Sequence, residues 1–167
     1  MFEKELSIDS RVSLSDGNSI PLLGLGTWAA QPGGETRDAV AFALETGYRH
    51  IDTAKLYNNE RDVGEAVCES GIARAEIFVT TKLWDSDQGY QPAHDAFNRS
   101  MDELGLDYVD LYLIHYPVKD LRMDSWRALE EIKASSRARS IGVSNFSHKH
   151  LQELFSHPDT QPVFNQI

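Results

Sequence analysis

The sequence predicts an α/β fold built on a parallel sheet, and two observations carry that prediction. Short apolar segments of strand length alternate with helical segments about six times along the 167 residues, which is the pattern of repeated βα units with helices outside the sheet. Each of those strand-like segments also runs into a polar or reactive group at its C-terminal end. The length suits a single domain spanning residues 1–167 with a real core.

The elements follow in order. Val12 and Leu14, Asp16-Gly17-Asn18 and Ile20-Pro21 read as a small N-terminal hairpin about an Asp-Gly turn. Leu22 to Gly26 is a short first strand running into Thr27-Trp28. A helix from Thr36 buries Val40, Ala43 and Leu44 and stops at Gly47, a left-handed cap. His50 to Asp52 is the second strand, followed by a helix from about Glu60 that buries Val63, Ala66 and Val67 and ends near Gly71. Ile77 to Lys82 is the third strand. Pro92 opens a helix with Ala93, Phe97, Met101 and Leu104 on its apolar face. Tyr108 to His115 is the fourth strand, and Asp124 is read as the cap of a helix carrying Trp126, Leu129 and Ile132. Ser140 to Ser144 is the fifth strand. Ser147 caps the next helix, with Phe146 and Leu151 set for a hydrophobic staple, and Val163 to Ile167 is the sixth strand.

Two architectures accommodate this order, a doubly wound open sheet and a TIM barrel. A dinucleotide-binding open sheet carries G-x-G-x-x-G opening its first helix. Gly24-Leu25-Gly26-Thr27-Trp28 lacks the third glycine and stands well before the helix, which weakens the open-sheet reading. A barrel would gather the strand ends around one mouth. Taken singly, Asp52 reads as a turn cap, Lys82 as a snorkelling surface group, His115 as a core histidine and Ser144-Asn145 as loop polars. An acid, a base and an imidazole on three successive strand ends are harder to explain structurally.

Composition excludes other classes. The net charge of −10, from 26 acidic and 16 basic residues, argues against nucleic-acid binding, which needs a basic face. No apolar run approaches the roughly 18 residues of a membrane span. Met1 to Ser10 shows no signal-peptide pattern, and the single Cys68 rules out an internal disulfide; a cytoplasmic location is expected. Cys68 falls on a helix face and reads as inert. His50, His94, His148, His150 and His157 have no metal-ligand spacing, so no metal is expected.

The text around the strand ends resembles one family closely. Gly47-Tyr48-Arg49-His50-Ile51-Asp52-Thr53-Ala54 with Tyr57, Asn59-Glu60 and Val63-Gly64 is similar to the aldo-keto reductase signature. So are Lys82-Leu83-Trp84, Leu113-Ile114-His115, Ile141 to Phe146 and Asn165-Gln166-Ile167, in family order and over nearly the whole chain. The resemblance implies a TIM (β/α)8 barrel, of which this chain supplies about six of eight units. It also implies reduction of aldehydes or ketones by hydride transfer from NADPH, with NADH left open.

By that resemblance the catalytic set is Asp52, Tyr57, Lys82 and His115. Tyr57 gives the proton, the Lys82 ammonium favours its phenolate form, Asp52 holds Lys82, and His115 donates a hydrogen bond to the substrate oxygen. Ser144, Asn145 and Gln166 match residues that hold the nicotinamide carboxamide, with Gly26, Thr27, Trp28 and Asp52 beside the cofactor. Trp28 and Trp84, with Tyr57 and His115, bound an apolar substrate site.

The short segment from Tyr116 to Asp124 matches short-loop microbial members of the 2,5-diketo-gluconate and methylglyoxal reductase type, which implies small aldehydes, ketoaldehydes or keto sugars as substrates. Ser135-Ser136 stands where relatives place a glycine-containing helix end, a modest local cost. In relatives the last two βα units hold an aromatic that stacks on the nicotinamide and basic residues that grip the adenosine phosphate. The intact barrel is expected to be monomeric. The six-unit chain is expected to be weakly active or inactive and to self-associate through open edges. Two other readings stay open. One is a non-catalytic subunit derived from the family; the other is an aldolase using Lys82 as a Schiff base.

Overall fold

The computed structural model describes residues 6–156 and 160–167. His157 and residues 1–5 of the N-terminal segment fall outside the described residues.

Among the described residues, an N-terminal pair of strands precedes six strands that alternate with five α-helices. Strands β1 (Arg11–Ser13) and β2 (Ser19–Pro21) form an antiparallel hairpin whose turn contains Gly17 at φ 89°. Then follow β3 (Leu25–Gly26), α1 (Gly34–Glu45), β4 (His50–Asp52), α2 (Glu60–Glu69), β5 (Phe78–Leu83), α3 (Tyr90–Leu104), β6 (Val109–Ile114), α4 (Arg122–Ala134), β7 (Ala138–Ser144), α5 (His148–Phe155) and β8 (Asn165–Gln166). Strands β3 to β8 make one parallel sheet in strict sequence order. A doubly wound sheet reverses strand order at a switch point. This one never does, which is the wiring of a barrel wall.

Strand alternation sorts the two faces. Val79, Leu83, Tyr112, Ile114, Ile141 and Val143 point outward into a core shared with the helices, together with Phe97, Leu104, Trp126 and Leu129. Phe78, Leu111 and Leu113 point inward and pack on Leu14 and Ile20 of the hairpin. The hairpin tip is anchored to the start of β7: Asn18 Nδ2 donates to Ser140 Oγ at 3.0 Å, and Asp16 Oδ2 accepts from Ser140 Oγ at 2.9 Å and Lys133 Nζ at 3.0 Å. The first and last strands each have one neighbour among the described residues. Between them opens a cleft of about 510 Å³ lined by Leu14, Ile20, His50, Asp52, Phe164 and Gln166.

Several boundaries differ from the sequence reading. The helix assigned to Pro92 begins at Tyr90, with Gly89 as its N-cap at φ 121°; Pro92 sits in the first turn, where its missing N–H costs nothing. Asp124 does not cap α4, which starts at Arg122 with no side-chain cap; its carboxylate lies in the first turn, 3.5 Å from Arg127. The helix read from Thr36 starts at Gly34. The first and sixth strands shrink to two paired residues each, because each has one strand beside it to pair with. Ser147 caps α5 as expected, completing a capping box with His150. Ser136 takes φ 63° after α4, the left-handed position where the sequence offers no glycine.

Candidate active site

The C-terminal ends of the parallel strands deliver the polar residues to one region. On β4, His50 and Asp52 share the inward face while Ile51 faces the helices. On β5, Lys82 lies on the same inward face as Phe78 and Thr80. Its aliphatic stem is therefore buried in the barrel, and its side chain is 1 % exposed. A buried ammonium needs partners, and Lys82 Nζ has three. It donates to Asp52 Oδ1, to the Thr53 carbonyl at 3.0 Å and to Tyr57 Oη at 3.3 Å.

Tyr57 comes from the loop after β4. A single 3-10 turn, Lys55–Tyr57, ends at Asn58 in the left-handed conformation (φ 56°) and aims the ring over Lys82. The His115 ring, just past β6, meets Tyr57 edge-on at 5.8 Å and Trp84 edge-on at 5.2 Å between centroids. The structure thus gathers Asp52, Tyr57, Lys82, His115 and Trp84 at one point. Trp28 does not join them: it stands 76 % exposed on the loop after β3.

Burial, reinforced by the Lys82 ammonium and partly opposed by Asp52, lowers the His115 pKa to about 4, so the ring is neutral near pH 7. Nδ1 is buried and has no hydrogen-bond partner among the described residues. Placing the single proton on Nε2 leaves no buried donor unsatisfied. The resulting site combines a phenol, a paired ammonium and a neutral imidazole N–H, a set able to polarise and protonate a carbonyl oxygen.

Ser144 at the end of β7, Asn145 just after it and Gln166 on β8 stand beside it. Asn145, in the left-handed conformation, donates through Nδ2 to the His115 carbonyl at 2.9 Å and to Ser144 Oγ at 3.1 Å. Gln166 Nε2 donates to Asp52 Oδ2 at 3.0 Å, a link between the two groups of residues that the sequence reading missed. The amide oxygens of Asn145 and Gln166 have no protein hydrogen bond among the described residues, a donor–acceptor set that fits a carboxamide. Gly26 lies at the opening with nothing within 4 Å of where a Cβ would stand. Thr27, in contrast, is 2 % exposed, and its hydroxyl bonds the Asp52 carbonyl and Asn59.

Lower in the barrel, His50 is held neutral. Burial brings its pKa to about 4 against the pull of Asp52, and Nε2 bonds Thr80 Oγ1 at 3.0 Å. Cys68 is exposed on α2. Among the described residues, no group of three His, Cys, Asp or Glu side chains could hold a metal ion, and no helix is long and apolar enough to cross a membrane.

Comparison with known proteins identifies the family and the fold. The model of the aldo/keto reductase family matches residues 22–167. The chain is 53 % identical over 156 residues to a 9,11-endoperoxide prostaglandin H2 reductase of Trypanosoma cruzi, covering 93 % of this chain and 55 % of that protein. It is 46 % identical over 161 residues to a glyoxal reductase of Bacillus subtilis, covering 96 % of this chain and 58 % of that one. Among solved structures, an aldo/keto reductase of Brucella melitensis superposes with a TM-score of 0.91 at 54 % identity, covering 95 % of this chain and 62 % of that chain. A Bombyx mori aldo-keto reductase solved in complex with NADP superposes at 0.89 with 38 % identity, covering 97 % and 59 %. The chain therefore spans somewhat over half the length of these relatives, and its six parallel strands are those of an incomplete (β/α)8 barrel.

Proposed function

The chain belongs to the aldo/keto reductase family, and from that premise we propose that its site reduces small aldehydes and ketones, including ketoaldehydes and keto sugars, to alcohols with NADPH. NADPH, when bound, supplies the hydride that adds to the carbonyl carbon. Ser144, Asn145 and Gln166 would hold its carboxamide, with Gly26, Thr27, Trp28 and Asp52 alongside.

The chain's own residues handle the oxygen. His115 donates its Nε2 hydrogen to the carbonyl oxygen and orients it. Tyr57 Oη delivers the proton that turns the developing alkoxide into a hydroxyl. The phenolate left behind is stabilised by the Lys82 ammonium at 3.3 Å and is reprotonated from solvent. Asp52 pairs with Lys82 and orients it. Trp84 supplies an apolar wall beside His115, and Trp28 would border the substrate from its exposed loop.

The observation that carries the proposal is the convergence on Lys82: a 1 % exposed ammonium shared by Asp52 and the Tyr57 hydroxyl. The same observation disfavours an aldolase. A Schiff-base lysine needs a free amine lone pair, whereas this ammonium has three acceptor partners.

The test is aldehyde-dependent NADPH oxidation. It is run on the 167-residue chain and on a chimera continuing it with the remaining residues of the Bacillus subtilis glyoxal reductase. The chimera is expected to turn over, about 10²–10⁴-fold less after Tyr57→Phe, and the shorter chain to bind NADPH more weakly. A folded chimera with no aldehyde-dependent turnover overturns the proposal.

A further inference from the structure

Asn59 occupies the N-cap of α2, and asparagine is among the residues most favoured there. Its side chain does not cap the helix. It is 1 % exposed and spends its amide on other elements. Oδ1 accepts from Thr53 Oγ1 at 2.9 Å and from Thr27 Oγ1 at 3.2 Å. Nδ2 donates to the Thr27 carbonyl at 3.0 Å, the Ala30 carbonyl at 3.3 Å and Thr36 Oγ1 at 3.4 Å. One buried amide thus joins the loop after β3, the start of α1 and the end of β4.

Those partners border the reacting groups. Thr53 and Asn59 are the two ends of the loop that carries Tyr57, and the Thr53 Oγ1 to Asn59 Oδ1 bond closes that loop like a clasp. The Thr53 carbonyl accepts from Lys82 Nζ, so the same clasp fixes the acceptor that sets the height of the ammonium. On the other side, the Thr27 to Ala30 segment held by Asn59 Nδ2 carries Trp28. The helix cap that Asn59 forgoes is given up for contacts that converge on the site.

We infer that Asn59 is a positioning residue: its amide locks the Tyr57 loop and the Trp28 loop to one another and so sets the Tyr57 Oη to Lys82 Nζ geometry. The inference rests on the proposed reductase reading only for its kinetic consequence. Its structural content holds whether or not Tyr57 is the proton donor.

The experiment uses the 167-residue chain with ring-labelled tyrosine. The Tyr57 signal, assigned through Tyr57→Phe, is shifted by the His115 ring facing it. Three variants separate the arms. Asn59→Ala is expected to move the Tyr57 ring signal towards its solvent-exposed position and to change Trp28 fluorescence as well. Thr53→Val, which opens only the clasp, is expected to shift Tyr57 alone; Thr27→Val is expected to change Trp28 alone. The ring signal of the fully buried Tyr112 should stay put in all three. In the chimera, Thr53→Val is expected to lower kcat by up to about 10²-fold with little change in KM, the scale of an ångström misplacement at a reacting group. If Asn59→Ala does not fold, Thr53→Val carries the test. Unmoved Tyr57 ring signals in a folded Asn59→Ala or in Thr53→Val overturn the inference. Loss of turnover in Tyr57→Phe is the separate test of the reductase reading.

Discussion

Replacing Gly64 with alanine should break the packing of α2 on α3, and the magnitude can be worked from the contact. A Cβ at Gly64 would lie 1.8 Å from the Leu104 carbonyl oxygen, 2.6 Å from its carbon and 2.8 Å from Leu104 Cα. Ordinary contact begins near 3.4 Å, so the methyl overlaps the oxygen by about 1.6 Å (3.4 − 1.8). Every atom in the way is backbone, and no rotamer change relieves it. Either α2 withdraws from α3, opening gaps beside Val63 and Val67, or the last turn of α3 unwinds. Overpacking costs about 1–3 kcal/mol and sometimes more. This case belongs at the upper end, offset by up to about 1 kcal/mol of gained helix propensity. A net loss of about 2–3 kcal/mol is expected.

Gly34→Ala is the matched control. It lies at the start of α1 with nothing within 4 Å of its Cβ position, and it should be neutral or stabilising by up to about 1 kcal/mol. Urea unfolding followed by helical circular dichroism and Trp126 fluorescence measures both, with the m-value as the check on the comparison. A Gly64→Ala chain within about 0.5 kcal/mol of the parent, at unchanged m, would refute the reasoning.

Further outcomes follow from the same structure. His50 has its pKa lowered from 6.5 to about 4, so its stabilising effect is complete above pH 6.5 and is lost as pH falls from 6.5 through 4. A difference of about 2.5 units corresponds to about 3 kcal/mol, and urea unfolding of the parent against His50→Gln from pH 7 to 4 should show that excess loss in the parent. The Glu60 carboxyl, buried against the Thr81 and Ser100 hydroxyls, has its pKa raised by burial. It therefore penalises folding as pH rises above the unfolded value towards the folded one. The stability of Glu60→Gln relative to the parent should improve across that interval, and a flat difference would contradict it. Ser136→Gly removes the left-handed strain after α4 and should raise stability by about 0.5–1 kcal/mol, read as a higher unfolding midpoint. Lys82→Met strips Asp52 of its ammonium; Asp52 keeps the Gln166 amide, so the cost should sit near the low end of about 3–5 kcal/mol, measured by the same unfolding assay.

The strand-end residues were legible because each interrupts an apolar stretch. Asp52, Lys82 and His115 stand where hydrophobic strands stop, and the parallel order of β4, β5 and β6 makes those stops neighbours. The loop that carries Tyr57 was legible only through the resemblance, since nothing in periodicity singles out Tyr57. Helix starts at Pro92 and Asp124 were misread for one reason: cap preference describes what a residue can do, and neither is the residue the structure uses as a cap. Gly89 supplies the cap of α3 with its backbone, and Leu121 precedes α4 without a side-chain cap. Asn59 shows the converse. A favoured N-cap residue sits at the N-cap and bonds elsewhere, because its buried amide satisfies the Thr27, Ala30, Thr36 and Thr53 groups of the neighbouring segments instead.

Local sequence determined the alternation of strands and helices, the inward and outward faces, and which reactive groups end up on adjacent strand ends. Those properties follow from side-chain periodicity and chain order alone. Tertiary structure decided the rest. It made Lys82 a three-partnered buried ammonium, kept His115 and His50 neutral, tied Gln166 to Asp52 and left Trp28 in solvent. The Lys82 and Gln166 contacts join groups 25 to 114 positions apart in the chain, and the neutrality of His115 and His50 depends on how much water the packed barrel wall excludes there.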